Sequence, residues 1–175
     1  MVNGKSKGSE FERTISKKLS LWWTDNERSD VFWRTSNSGG RHTIRKRKGE
    51  ETYNQSGDIC SIDPIGQPFS DNIYLECKSY KSINIWSMFT GKGLLIDWWN
   101  KATEIAKEEG KKTFLIAKEN NKPVLLFTNI GYFYCESLCE FYIRNESIQV
   151  YNFDTFLKCS STNFKECILG WSINI

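Results

Sequence analysis

Histidine occurs once in these 175 residues, at His42, and proline only three times. A single imidazole excludes any site built from several histidines. The paired C-x2-C spacing of structural zinc is missing too, since the nearest cysteines are Cys135 with Cys139 and Cys159 with Cys167. No apolar run approaches the roughly 20 residues that cross a bilayer, so no membrane partner is expected. The opening stretch MVNGKSKGSEFER is polar and carries no secretory signal, so the six cysteines are expected to be reduced thiols in a cytoplasmic protein. A strong charge of one sign is also absent. With 24 Lys plus Arg against 21 Asp plus Glu, the net charge of +3 is too mild to announce a polyanionic partner, and the distribution of charge matters more.

What is present is a core. At 39% hydrophobic residues the chain is long enough for one domain, expected to span 1–175 with a core over about 5–130 and an aromatic-rich C-terminal extension over about 131–175. Aromatic residues reach 14%, seven of them Trp, which suits a dense core or stacking surfaces and does not decide between them.

Ser9 opens a helical pattern in which Phe11, Ile15, Leu19 and Trp22 repeat at helix spacing up to about Trp23. Two readings of Glu12 compete. Three residues after Ser9, it completes an S-x-x-E capping box; at about 100° per residue it also falls roughly 20° from Leu19, inside the apolar sector. A side chain folded back on its own N-terminus cannot also reach an inward site. Residues 31 to 36 (VFWRTS) read as a strand, 36 to 57 as a long polar loop, and 58 to 62 (DICSI) as a second strand. After the turn DPIGQP, NIYLECKSY is a third strand, expected to form an antiparallel hairpin with the second. A helix over 94 to 110 follows, with Leu94, Ile96, Trp98, Ala102, Ile105 and Ala106 mostly on one side, stopped by Gly110; then come the strands KTFLIAK and PVLLFT. Beyond Gly131 the pattern weakens: YFYCESLCEFYI fits helix or strand, SIQVY a strand, FDTFLKC a short helix. The order predicts an α/β fold with a central mixed β-sheet flanked by helices.

The stretch YLECKSY (74–80) carries the chemistry. On a strand Ile73, Leu75 and Cys77 share one face, and Tyr74, Glu76 and Lys78 the other. An isolated E-x-K is more often no more than a same-face pair on an ordinary half-exposed strand. Asp58 changes the weighing, because pairing of strands two and three sets it beside Glu76, directly after Gly57, which allows a close backbone approach. Two adjacent carboxylates repel unless a proton or cation lies between them. Mg2+ resolves the conflict, with water, a phosphate oxygen and the Cys77 carbonyl completing its shell and Mn2+ as a substitute. Lys78 would then orient or deprotonate the attacking oxygen and offset charge on a phosphate.

In this order, Asp58 followed by Glu76-Cys77-Lys78 resembles the PD-(D/E)XK nuclease core, which has a restriction-endonuclease-like fold. More narrowly, KGSEFERTISKKL with RTSNSGG resembles the archaeal-type Holliday junction resolvases, which carry a K-G-x-x-x-E-R-x-[IL] helix and a serine shortly after an arginine-ended strand. The likeness covers roughly residues 5 to 82. It implies that Glu12 completes the metal site or its water network, that Asp58, Glu76 and Cys77 hold the metal, that Lys78 is the catalytic lysine, and that Ser38 contacts substrate phosphate. Arg13 becomes a phosphate or carboxylate contact, and Arg34 a DNA contact. A homodimer acting on four-way DNA junctions is implied, associated with nucleoid or phage DNA. Gly57 stands where the motif has proline, and the loop between Ser38 and Asp58 is longer than usual. A restriction-like nuclease and a non-catalytic DNA-binding protein remain as alternatives. Within that loop Arg41, Arg45, Lys46, Arg47 and Lys48 form a basic segment, either solvated charge or a track for backbone phosphates. Asp63, Asp71 and Asp97 are read as carboxylates outside the site.

Overall fold

Apolar side chains at 11, 15, 19, 22 and 23 give helix α1 (Gly4–Trp23) one buried stripe. The computed structural model describes residues 4–35, 56–130, 141–143 and 148–171. Because α1 is already helical five residues before Ser9, that serine lies inside the helix, and the capping box expected there does not form. Small buried residues on the same stripe let a strand approach: Ser20 Oγ accepts the backbone N–H of Phe32 at 2.9 Å.

Strand β1 (Phe32–Arg34) pairs antiparallel with β2 (Ile59–Ser61), with Trp33 opposite Cys60. The expected hairpin between the second and third strands is therefore corrected. Asp63 caps a 3-10 turn (Pro64–Gly66) by accepting from Ile65 N, and the chain continues as helix α2 (Gln67–Asn72), so the connection is too helical to act as a hairpin turn. Strand β3 (Ile73–Tyr80) instead runs parallel to β4 (Lys112–Glu119), with the short α3 (Ser87–Thr90) and the crossover helix α4 (Leu94–Glu108) between them. β5 (Val124–Thr128), β6 (Phe141–Ile143) and β7 (Ile148–Asn152) complete a five-stranded mixed sheet in the order β3-β4-β5-β7-β6. Helices α5 (Phe153–Phe156) and α6 (Ser161–Trp171) follow. The architecture is the expected α/β one, a mixed sheet flanked by helices.

Both faces of the sheet are covered. Leu75, Phe114, Ile116 and Leu126 pack against Trp22, Trp23, Phe156 and Phe164 from α1, α5 and α6, while Leu115, Ala117, Phe127 and Val150 pack under Leu95, Ile96 and Trp99 of α4. Each Leu, Ile, Val or Phe among them contributes on the order of 1.5–3 kcal/mol by leaving water. In α4, Ile96, Ala102 and Ala106 are buried as expected, but Leu95 and Trp99 take the places expected for Leu94, which is exposed, and Trp98, which is half-buried against Tyr80. Trp86 is exposed beside Phe89. The expectation of reduced thiols holds for Cys60, Cys77 and Cys167, which are free, and is corrected for Cys159, which is disulfide-bonded. None of the helices among the described residues is long and apolar enough to cross a membrane.

Candidate active site

The site forms at the outer edge of β3, where the β1–β2 pair meets the main sheet. The chain reaches β2 through Gly57, whose backbone is left-handed (φ +82°). An added Cβ there would lie 2.4 Å from the Leu75 carbonyl oxygen, so the close approach foreseen for this glycine is to β3 itself. Three bonds then fix Asp58. Its carbonyl accepts from Thr35 N at 2.9 Å, its N–H donates to Leu75 O at 2.8 Å, and its Oδ2 accepts from Cys77 N at 2.8 Å. The Thr35 hydroxyl also donates to Gly57 O at 2.7 Å. Asp58 thus sits against the E-x-K stretch although β2 and β3 form no ladder.

Glu76 and Lys78 lie on the same face of β3, as strand alternation requires, and the Lys78 ammonium donates to Glu76 Oε1. The Tyr74 hydroxyl donates to Glu76 Oε2 at 3.1 Å. Glu12 reaches in from α1 with its side chain 15% exposed, and its Oε2 accepts from Arg34 Nε at 2.9 Å. The inward reading of Glu12 is the one the geometry shows.

Burial sets the electrostatics. It raises the Glu76 pKa, with the neighbouring charge of Asp58 adding to the rise and Lys78 and Tyr74 opposing it. Glu12 is likewise raised by burial, against the hydrogen bond from Arg34 and with a further push from Asp58. Burial would lower Lys78, but the Glu76 carboxylate outweighs it and the net shift is upward, so the ammonium holds its proton at neutral pH. The Cys77 thiol is pushed well up by burial and then by Asp58, Glu76 and Glu12, which leaves its carbonyl as the group able to meet a cation.

The structure therefore brings together Glu12, Arg34, Asp58, Glu76, Cys77 and Lys78. Arg13 is exposed on α1. Ser38, Arg41, Arg45, Lys46, Arg47 and Lys48 lie outside the described residues. Asp63 serves the 3-10 turn and Arg28, Asp71 accepts from Gln67, and Asp97 is exposed, all away from the site. Two residues that sequence reading left without a role are Tyr74, whose only signal was its place on the Glu76 face, and Thr35, which had none.

An acid immediately before a short strand, an E-x-K on the next and a glutamate from the first helix, set on a mixed sheet between helices, define the class of PD-(D/E)XK nucleases. The chain belongs to the family described as "Phage putative PDDEXK endonuclease", whose family model matches residues 3–170. Neither the curated proteins nor the solved structures contain a match to it.

Proposed function

We propose that the chain is a Mg2+-dependent endonuclease that hydrolyses phosphodiester bonds in branched DNA, four-way junctions foremost, as a homodimer, with Mn2+ able to replace Mg2+. The observation that carries the metal reading is the bond from Cys77 N to Asp58 Oδ2, which sets one buried carboxylate against the strand bearing another. Burial and mutual repulsion raise Glu76, the condition that a divalent cation relieves. Among the described residues no three His, Cys, Asp or Glu side chains stand close enough to form a cage. Two carboxylates and a backbone carbonyl are the donor set that suits Mg2+, which takes one or two carboxylates and leaves its other positions to water and phosphate. Bound there, such an ion would supply polarisation of the phosphoryl oxygen and acidification of water.

This chain's own residues do the rest. Lys78 keeps its proton, so it acts as a fixed cation that offsets charge growing on the phosphate rather than as a base. Glu12 and Arg34 hold each other beside the carboxylates, where the remaining N–H groups of Arg34 suit a phosphate oxygen. The branched substrate and the dimer rest on the likeness of the α1 and RTSNSGG segments to resolvases.

Purified protein incubated with labelled four-way junction, flap and linear duplex, with and without Mg2+, tests the reading. The junction should be cut, only with metal, and both Glu76→Gln and Asp58→Asn should lose cleavage while still binding DNA. Equal cutting of linear duplex would replace the substrate with that of a restriction-like enzyme. Retained cutting by either variant would overturn the metal assignment.

A further inference from the structure

On the far side of α1 from Arg34 lies a groove that the catalytic constellation does not use. It encloses about 410 Å3 between α1 and the turn joining β4 to β5. Four lysines from three elements point to it: Lys7 and Lys18 on α1, Lys118 on β4 and Lys122 in the turn. Its acids do not balance them. Asp154 pairs with Lys18 at 2.5 Å, and Glu10, which also lines the groove, makes no ion pair among the described residues. Lys7 donates to the neutral amide oxygen of Asn120 and keeps its charge. Among the described residues Lys118 and Lys122 make no ion pair; the Lys118 ammonium stands 6.0 Å from the centre of the Phe11 ring, and both side chains are exposed. The groove thus carries excess positive charge over an apolar floor that includes Phe11 and Val124.

Its position gives that charge a purpose. Phe11 and Ser79 line it, and they are the chain neighbours of Glu12 and Lys78. Lys118 pairs in register with Ser79. Strand alternation puts Lys118 and Ser79 on the face of the sheet opposite Lys78, with the Lys118 Cα roughly 6 Å from that of Lys78, so a DNA strand leaving the active site meets Lys118 by passing round the β3 edge. The sugar edge of a nucleotide suits the apolar floor, and its phosphates suit the ammonium groups.

We infer that this groove holds the phosphodiester backbone of one DNA strand flanking the cut phosphate, led around the β3 edge from the active site, with Lys118 and Lys122 as phosphate contacts. The inference rests on the nuclease reading above and adds a path for the substrate. Contacts of this kind position DNA without reading its sequence.

The test is fluorescence anisotropy of a labelled four-way junction, with a linear duplex alongside, over about 50 to 200 mM salt, with Ca2+ as the divalent ion and intactness of the DNA checked on a gel. Removing two phosphate contacts with Lys118→Ala/Lys122→Ala should flatten the slope of log K against log salt by about 1.8, and weaken binding about 60-fold near 0.1 M salt. Lys118→Arg/Lys122→Arg, which keeps the charge, should bind like the wild type and shows that loss of fold is not the cause. Wild-type slope and affinity in the alanine variant, with wild-type cleavage of DNA intact, would overturn the groove alone. Absence of any binding by the wild type, to four-way junction and duplex alike, would overturn the groove and the nuclease reading together.

Discussion

At Glu76 three demands meet on one carboxylate: the Lys78 ammonium takes Oε1, the Tyr74 hydroxyl takes Oε2, and Asp58 repels the charge from the side. Tyr74 is buried against Ala102 and Ala106 of α4, so its ring is held and its hydroxyl fixes the rotamer of the acid. Tyr74→Phe removes that bond and leaves the ring's packing in place. Since partners that orient a metal ligand are worth about 10- to 100-fold in metal affinity, this variant should bind Mn2+ that much more weakly in calorimetry. Its melting temperature should move little, because the lost hydrogen bond contributes about 1 kcal/mol. Unchanged Mn2+ affinity would show that Glu76 needs no such support. Lys78→Arg should not rescue function at this position, because a planar guanidinium cannot reproduce a compact ammonium held between Glu76 and a phosphate; cleavage at saturating Mg2+ is the measurement.

The placement of Asp58 is a property of an element rather than of a side chain. Strand β2 has only three residues, and Gly57 lets it lie close enough to β3 for the amide and carboxylate of Asp58 to bond there. Gly57→Ala meets both a left-handed backbone and a Cβ 2.4 Å from Leu75 O. The backbone strain alone costs about 1–3 kcal/mol, roughly 2–4 °C of melting temperature per kcal/mol at this chain length. Gly57→Pro, which restores the residue of the family motif, should do worse, since proline fixes φ near −65° where this turn needs +82°. Both variants should also lose divalent-metal affinity with every carboxylate still in place, read by calorimetry beside thermal melts. The same scale explains what could be read in advance. Periodicity placed α1, β3, α4, β4, β5 and β7, because their apolar spacing is regular. The partner of β2 was hidden by the turn that Asp63 makes helical, and the phase of α4 was ambiguous because Leu94-Leu95 and Trp98-Trp99 are adjacent apolar pairs. Helix α6 carried too weak a pattern to be placed. Within the site, Asp58, Glu76 and Lys78 were legible as an ordered motif. The bond from Arg34 to Glu12, 22 residues apart, was not, since it exists only once β1 lies along α1.

For the molecule as a whole, the site lies where α1, the β1–β2 pair and the edge of the main sheet come together over one shared hydrophobic core. A cation held between Asp58 and Glu76 should therefore stabilise the entire fold, by about 2.7 kcal/mol at a hundredfold excess over its dissociation constant, or about 5–10 °C in melting temperature. The pH dependence follows from the raised pKa values of Glu12 and Glu76, which burial lifts above the ordinary range of a glutamate. In metal-free protein a raised acid favours folding while protonated, so this stabilisation is full below the unfolded value and is lost as pH rises through the raised folded values. With metal the sign reverses, because the ion binds the ionised carboxylates and protons compete for them. Thermal melts across about pH 5 to pH 8 should show a Mg2+-induced rise that is large at the alkaline end and shrinks at higher pH than ordinary carboxylates would allow. At neutral pH without metal, Glu76→Gln should melt above the wild type, having lost a buried charge, and should respond little to Mg2+. A metal-induced rise of equal size at both ends of the range, or a metal-free Glu76→Gln that melts below the wild type, would mean that repulsion between buried carboxylates is not what the cation relieves.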